Sequence, residues 1–393
     1  MANLLVVHGG APTAVMNASL YGVIEQARSS GQIGKVLAAI GGTEAILKER
    51  FMDLLTYPET ETRKLLTTPA SSIGTSRFAL EPEHYQKMAE VLEKHDIRYV
   101  LMNGGNGTMD ACGKLQQACR EKGIFVVGVP KTIDNDIAIT DHAPGYASDA
   151  RFVAAAASQI SCDLEALPIH VSVVETMGRN AGWIAAASAL ARQESGSGGP
   201  HLIYLPERPF SMEHFLEDVA ECHRKYGGVL VVCSEGLTGP DGGLLVPPVF
   251  QSGRSVYPSL VGMHLANTVT KELGLKSRYE KPGLCERTSI RWRSEVDVRE
   301  AEQVGRAAVD AVLAEKGGIM IGIERLSSSP YRIRLIDIPV EQVMLYERRI
   351  PDNWINARGN GVTQELLDWC RPLVGDQFGE YLQFTKEYKK GNI

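Results

Sequence analysis

The fold is indicated first by one stretch of the chain, Phe125-Val126-Val127-Gly128-Val129-Pro130-Lys131-Thr132-Ile133-Asp134-Asn135-Asp136. Its first half is an unalternated apolar run, as in strands that are buried on both faces of a parallel sheet. Its second half places a cation, a hydroxyl and two carboxylates directly after that strand, at the edge where open α/β sheets bind ligands. If the backbone stays extended, Asp134 and Asp136 point the same way, because side-chain direction repeats every second residue. A solvated surface turn is the alternative interpretation.

Similar apolar runs recur on both sides of this stretch, each followed by a glycine-containing turn and a segment with helical spacing. The predicted strands are 4–8, 36–40, 99–102, 125–129, 171–175, 202–205, 229–233 and 319–323. The predicted helices are 83–94, 109–122, 149–162, 212–226 and about 298–316. This alternation predicts an α/β protein with mostly parallel sheets flanked by helices. The tail from about residue 343 is polar and is expected to cover the fold as an appendage.

Three glycine-rich turns follow predicted strands. They are Gly9-Gly10-Ala11-Pro12, Gly41-Gly42-Thr43 and Gly104-Gly105-Asn106-Gly107-Thr108. Glycines after a strand let the backbone approach a ligand and direct its amides at phosphate oxygens. Any one of these segments could instead be a simple turn that binds no ligand. The chain has no Gly-x-x-x-x-Gly-Lys-Ser/Thr motif, and Asp110 replaces the last glycine of Gly-x-Gly-x-x-Gly. These absences disfavour ordinary P-loop enzymes and dinucleotide-dependent oxidoreductases.

Composition and length indicate a two-domain protein that acts on small molecules. A chain of 393 residues exceeds a single ordinary core, which predicts two lobes with a site in the cleft between them. Hydrophobic residues make up 44% of the chain and charged residues 22%, as in soluble globular proteins. The net charge of -6 is not accompanied by a long basic run, which disfavours nucleic acid and anionic membranes as partners.

Three further features predict a cytoplasmic protein. The start of the chain lacks a basic leader and is expected to form a strand instead of a signal peptide. No apolar stretch approaches the roughly 18 residues of a membrane span. The seven cysteines contain no Cys-x-x-Cys pair, which indicates reduced thiols.

The order of the motifs resembles the phosphofructokinase family across nearly the whole chain, and is most similar to its pyrophosphate-dependent branch. The matching segments are Gly9-Gly10 through Met16-Asn17-Ala18, Gly74-Thr75-Ser76-Arg77, Gly104 through Thr108, Pro130 through Asp136, Met177-Gly178-Arg179-Asn180-Ala181-Gly182-Trp183, Pro206-Glu207 and Ser234-Glu235-Gly236. The resemblance implies a two-lobed fold with a donor domain, 1–143 plus about 298–318, and a sugar domain, 144–297 plus about 319–393. It also implies a homodimer or homotetramer with sites shared between subunits.

The resemblance also implies a role for each matching residue. Asp134 is similar to the family's catalytic base, with Lys131 and Arg77 supplying positive charge to the transferred phosphoryl group. Asp136 and Asn106 are placed at the metal, Mg²⁺, although Asn106 stands where many members have a carboxylate. The implied donor-binding residues are Gly10, Arg77, Gly104, Gly105, Asn106, Gly107 and Thr108. The implied sugar-binding residues are Thr132, Asp136, His170, Met177, Gly178, Arg179, Glu235, Arg287 and Arg291.

Two positions give conflicting indications about the phosphoryl donor. Within the family, an Asp at the position of Gly107 crowds out a nucleotide and marks pyrophosphate users, whereas a Gly leaves room for ATP. Lys131 is in turn typical of pyrophosphate users. A missing side chain cannot block a nucleotide, so the hypothesis favours ATP slightly while pyrophosphate stays open.

The expected pocket for the sugar's own phosphate also departs from the family. Its Gln-Arg motif corresponds to Glu286-Arg287, Arg291 and Arg293 lie near the usual His, and His170 stands at an expected basic position. The first hypothesis is phosphoryl transfer to the 1-hydroxyl of fructose 6-phosphate. A family kinase for a different or unphosphorylated sugar or polyol is the alternative. A catalytically silent regulatory homologue is a third reading, disfavoured because Asp134 and Arg179 are present.

Overall fold

The computed structural model describes residues 1–192, 198–252, 255–257, 259–344, 346–375, 378, 381, 382 and 384. The chain divides into two compact units, of which the first is 1–148 with 287–348 and the second is 149–286 with 349–393. The sequence-based domains placed 144–148, 287–297 and 319–348 in the sugar domain, whereas these segments belong to the first unit. The physical reason for 319–348 is strand pairing, because Ile319 and Met320 pair in parallel with Val127 and Gly128.

The first unit is built on a seven-stranded sheet. Its strands are β1 (Asn3–His8), β2 (Val36–Ala39), β3 (Phe51–Asp53), β4 (Ile97–Gly104), β5 (Phe125–Pro130), β12 (Ile319–Ser328) and β13 (Tyr331–Pro339), in the order β13-β12-β5-β4-β1-β2-β3. The five inner strands run parallel, while β3 and β13 pair antiparallel at the edges. The helices are α1 (Met16–Ser30), α2 (Glu44–Leu47), α3 (Glu59–Thr62), α4 (Pro82–Lys94), α5 (Asn106–Cys119) and α11 (Glu295–Leu313).

Apolar cores cover both faces of this sheet. Leu5, Val7 and Met102 point to the core that contains α4 and α5, whereas Leu4 and Val6 point to the core that contains α1 and α11. Because both faces are buried, the strands read as continuous apolar runs without alternation. The carboxyl ends of β1, β4 and β5 consequently share one edge, where their polar turns meet.

The second unit contains a four-stranded parallel sheet. Its strands are β6 (His170–Thr176), β7 (Leu202–Tyr204), β8 (Val229–Ser234) and β11 (Lys276–Glu280), in the order β11-β6-β8-β7. A hairpin, β9 (Phe250–Ser252) with β10 (Ser255–Tyr257), stands apart from this sheet. The helices wholly in this unit are α7 (Trp183–Ala187), α8 (Met212–Tyr226), α9 (Val261–Leu273) and α12 (Gln364–Val374). The chain passes from one unit to the other within α6 (Tyr146–Ala166), within α10 (Leu284–Thr288) and again between Arg348 and Arg349.

The α/β class predicted from the sequence is confirmed, and all eight predicted strands are present with shifted ends. Helix α5 begins at Asn106, three residues before the predicted start at 109, which brings Asn106, Gly107 and Thr108 into its first turn. No helix among the described residues is long and apolar enough to span a membrane.

Candidate active site

Lys131 is the central cation of the first unit's site. Strand β5 ends at Pro130, and the next side chain turns inward, leaving Lys131 only 3% exposed. Its Nζ donates hydrogen bonds to the carbonyl of Gly9 at 3.1 Å and to that of Ala11 at 2.5 Å. Burial lowers the pKa of Lys131 to about 8, and the nearby Asp134 carboxylate opposes this shift. An ammonium carries three N–H donors, so one remains for a bound ligand.

The turn after Lys131 does not keep an extended backbone. Asn135 adopts a left-handed conformation with a φ of 53°, and its buried Oδ1 accepts a hydrogen bond from the backbone N–H of Ala143 at 3.2 Å. Asn tolerates this conformation because its short polar side chain bonds locally. The backbone is therefore not extended between Asp134 and Asp136, so strand alternation does not set the relative directions of their side chains.

Thr132 forms hydrogen bonds with both aspartates of the turn. Its hydroxyl oxygen accepts a hydrogen bond from the backbone N–H of Asp134 at 3.0 Å, and the same hydroxyl donates to Oδ1 of Asp136 at 3.1 Å. Asn106 donates to the other oxygen of Asp136 at 2.9 Å. Burial raises the pKa of Asp136, and these hydrogen bonds oppose that shift. Asp134 is left partly exposed beside this fixed carboxylate.

Asp136 and Asn106 provide oxygen ligands of the kind that Mg²⁺ takes. Oδ1 of Asn106 is buried without a hydrogen-bond partner. Each carboxylate oxygen of Asp136 accepts one hydrogen bond, although such an oxygen has two lone pairs. No group of three or more His, Cys, Asp or Glu side chains able to hold a metal occurs within the described part of the chain. Mg²⁺ usually takes one or two protein carboxylates and completes its shell with water and phosphate, so the pair fits such an ion.

The start of α5 is suited to phosphate. Its first N–H groups have no partner within the helix, and helix amino termini attract anions. A Cβ at Gly104 would lie 2.1 Å from Oγ1 of Thr108, so only glycine lets the turn close over that hydroxyl. A Cβ at Gly107 would instead meet nothing within 4 Å. A Cβ at position 107 would therefore enter open space beside the first turn of the helix.

The turn containing Gly10 is fixed by the segment that carries Arg77. Thr75 donates its hydroxyl proton to the carbonyl of Gly10 at 2.7 Å, and the N–H of Gly10 donates to the carbonyl of Ser76 at 3.3 Å. Arg77 follows this contact and is exposed. The positive charges of Arg77 and Arg287 both help to lower the pKa of Lys131, which locates three cations in one region of the first unit.

In the second unit, the turns after β6 and β8 pack directly against each other. The hydroxyl of Ser234 donates to the carbonyl of Gly178, and the N–H of Glu235 donates to the carbonyl of Thr176 at 3.0 Å. A Cβ at Gly236 would lie 1.6 Å from the carbonyl oxygen of Arg179, so glycine is required for this approach. The structure thus brings together four of the predicted sugar-binding residues: Met177, Gly178, Arg179 and Glu235.

Two carboxylates, the buried Glu286 and the partly buried Glu207, support this loop. Glu286 is 1% exposed, and its Oε1 accepts the backbone N–H of Met177 at 3.0 Å. Glu207 accepts the backbone N–H of Gly182 at 2.9 Å and that of Ile350 at 3.2 Å. The sequence reasoning assigned Glu286 to the sugar-phosphate pocket and gave Glu207 no role. The one sequence signal for Glu207 was the family segment Pro206-Glu207.

Two predicted sugar-binding residues lie outside these clusters. His170 is buried at the first position of β6, whereas the Met177 loop follows its last position, about 20 Å away at about 3.3 Å per residue. Arg291 is exposed on the segment between α10 and α11. Its neighbour Arg293 donates a hydrogen bond to the carbonyl of Leu66, which occupies part of its guanidinium.

Known proteins resemble this chain over most of its length. The family profile described as "Phosphofructokinase" matches residues 3–312. The chain is 34% identical over 384 residues to a pyrophosphate–fructose 6-phosphate 1-phosphotransferase of Xanthomonas campestris pv. campestris, covering 95% of this chain and 91% of that protein. The chain belongs to the phosphofructokinase family.

Other members of the phosphofructokinase family are similarly close. A sulfofructose kinase of Alkalicoccus urumqiensis is 32% identical over 354 residues, covering 89% of this chain and 91% of that protein. The crystal structure of a pyrophosphate-dependent phosphofructokinase from Marinobacter aquaeolei matches with a TM-score of 0.87 at 35% identity, over 98% of this chain and 94% of that one. The chain is accordingly a phosphofructokinase-type phosphotransferase, in a family whose members use pyrophosphate or ATP.

The lowered pKa of Lys131 gives a pH dependence. Lys131 loses its proton as the pH rises through about 8, and the free enzyme then lacks a cation for the anionic donor. We expect kcat/KM for the donor, which reports ionisations of the free enzyme, to fall above that pH. In Lys131→Arg the guanidinium stays protonated, so any remaining activity should not fall in that range. The same decline in both proteins would show that another group titrates.

Proposed function

We propose that this chain transfers a phosphoryl group from ATP or pyrophosphate to the 1-hydroxyl of fructose 6-phosphate, with Asp134 as the general base. The hydroxyl oxygen attacks the terminal phosphorus, the bond from that phosphorus to the leaving oxygen breaks, and the hydroxyl proton passes to the carboxylate of Asp134. The observation that carries this proposal is the turn from Lys131 to Asp136. It combines a half-exposed carboxylate with a buried cation and a second, hydrogen-bonded carboxylate.

The remaining residues of the first unit act by position and charge, which is most of what phosphoryl transfer requires. The first turn of α5 directs backbone N–H groups at the donor phosphates, and Gly10, which has no side chain, leaves room for the donor beside Nζ of Lys131. Arg77 and Lys131 neutralise charge that develops on the transferred group. Asp136 and Asn106 would hold Mg²⁺, which, when bound, neutralises charge on the donor's phosphate oxygens.

The acceptor is assigned to the loop of the second unit. Arg179 and Glu235 offer a guanidinium and a carboxylate for the oxygens and hydroxyls of a sugar. The relatives named as acting on fructose 6-phosphate support this choice of acceptor. His170, Arg287 and Arg291 are proposed to bind the sugar's own phosphate, with His170 serving a neighbouring subunit of a homodimer or homotetramer.

The structure of the first unit favours ATP as donor, because the space beside Gly107 is open. Pyrophosphate is favoured by the relatives' names and by Lys131. An acceptor other than fructose 6-phosphate is also supported, because one relative at 32% identity is named a sulfofructose kinase. We further propose that the protein works in the cytoplasm, where these metabolites are found.

Replacing Asp134 tests the general base. Asp134→Asn keeps the shape of the side chain but cannot take the proton, so kcat should fall by about two to four orders of magnitude while acceptor binding persists. The matched control is Asp96→Asn, at an exposed residue, which should leave kcat unchanged. Initial rates measured for both variants with each donor at saturating sugar test whether Asp134 is the general base. A near-normal rate in Asp134→Asn would mean that another group accepts the proton.

Filling the space at Gly107 tests the choice of donor. Asp is favourable in the first turn of a helix, Gly107 is exposed, and a Cβ there would meet no atom within 4 Å, so Gly107→Asp should fold normally. If the wild type uses ATP, the variant should lose at least about tenfold in kcat/KM for ATP, because the added carboxylate crowds and repels the nucleotide. Gly107→Asn separates crowding from charge. Activity of the wild type with pyrophosphate alone would refute the preference for ATP.

A further inference from the structure

Lys281 forms an ion-pair cluster at the carboxyl edge of the second unit's sheet. Its Nζ lies 2.6 Å from Oε1 of Glu175 and 3.3 Å from Oε2 of Glu235. Strand β11 pairs in parallel with β6, with Glu280 opposite Val174, so Lys281 follows β11 at the level of Glu175. The residue after β8 is Glu235, so three adjacent parallel strands each contribute one charge. Open α/β sheets bind their ligands at this edge.

Glu175 is the fixed member of the cluster. Its side chain is fully buried, and Oε2 accepts the backbone N–H of Gly262, in the first turn of α9, at 2.7 Å. That hydrogen bond orients the carboxylate, and its other oxygen is directed to Lys281. A buried carboxylate needs a compensating cation, and Lys281 is its ion-pair partner. Glu175 therefore anchors the ammonium of Lys281.

Glu235 is the member that remains accessible. Its side chain is 15% exposed and that of Lys281 is 23% exposed, whereas that of Glu175 is 0% exposed. Glu235 also directly follows β8, beside the loop that carries Arg179. A carboxylate accepts hydrogen bonds through several lone pairs, so contact with Lys281 leaves capacity for a ligand.

We propose that Lys281 is a positioning residue for acceptor binding. Anchored by Glu175, its ammonium holds the carboxylate of Glu235 in one orientation, so that Glu235 accepts a hydrogen bond from a hydroxyl of a polyhydroxylated sugar. This inference rests on the proposed function, in which Glu235 binds the acceptor. It adds a residue that sequence comparison of the motifs does not single out, because Lys281 lies outside all of them.

The charges around Glu235 give the proposal a pH signature. The facing groups are Lys281 after β11, Glu175 on β6, Arg179 on the loop after β6 and Tyr279 on β11. Burial raises the pKa of Glu235, and Lys281 is the largest influence opposing that shift. Without Lys281 the carboxyl should hold its proton to higher pH. The binding defect should then be greatest at low pH and diminish as the pH rises.

The test is Lys281→Met, measured by acceptor KM, donor KM, kcat and calorimetric binding of fructose 6-phosphate without donor. We expect the acceptor KM to rise about tenfold or more, as for loss of a hydrogen bond to a charged group, with donor KM and kcat unchanged. Lys281→Arg should restore most of the affinity, since it keeps the charge. Lys271→Met, at a lysine whose side chain is 83% exposed on α9, is the control and should behave as wild type.

Lys281→Met leaves Glu175 buried without its cation, which threatens folding. The double variant Lys281→Met/Glu175→Gln removes that charge and leaves Glu235 intact, so it should fold and still show the raised acceptor KM. Wild-type acceptor affinity in the folded double variant, or equal rises in the acceptor KM and the donor KM, would overturn the positioning role of Lys281. Neither result would contradict the proposed function. A wild type that phosphorylates no sugar with either donor would overturn the proposed function, and this inference with it.

Discussion

The site of the first unit depends on the burial of one ammonium group. Lys131 is almost fully enclosed, and the carbonyls of Gly9 and Ala11 accept hydrogen bonds from two of its three N–H donors. The backbone N–H of the same residue donates to the carbonyl of Gly104 at 3.0 Å. One residue therefore joins the turns that follow β1, β4 and β5. Burial removes water from the ammonium group, and this loss of solvation lowers the pKa of Lys131. The nearby carboxylates of Asp134 and Asp136 offset part of that effect.

In the second unit, carboxylates instead of an ammonium group fix the turns at the edge of the sheet. Loops after parallel strands leave backbone N–H groups without sheet partners, and buried donors must find acceptors. Glu286 accepts from Met177, Glu207 from Gly182 and Glu175 from Gly262. Three carboxylates thus fix the backbone at the edge where the sugar-binding residues are assigned. This explains why a Glu is tolerated at position 286, because its carboxylate meets a backbone donor.

The sequence was sufficient for the parts of the fold that depend on burial. Strands with both faces buried must be apolar throughout, and the sequence shows such continuous apolar runs around Val127 and Val231. The motifs also indicated the correct family, since Lys131, Asp134 and Arg179 occur in its order. Helix starts were less predictable, because Asn106 and Gly107 have low helix propensity and enter α5 through the geometry of its first turn.

Long-range features could not be predicted from local pattern. The left-handed Asn135 depends on a hydrogen bond to Ala143, and the placement of 319–348 depends on pairing with β5 and on the bridge between Ile137 and Glu347. The contact of Lys281 with Glu175 and Glu235 likewise arises only when three strands lie side by side.

The central claim is that the turn from Lys131 to Asp136 transfers phosphate to a sugar hydroxyl. Its most direct test is phosphorus NMR of the product formed from fructose 6-phosphate with ATP or with pyrophosphate. The account predicts a new phosphomonoester signal on carbon 1, with one equivalent of the leaving product, ADP or phosphate. Release of the leaving product without a new sugar phosphate, or phosphorylation at another carbon, would contradict it.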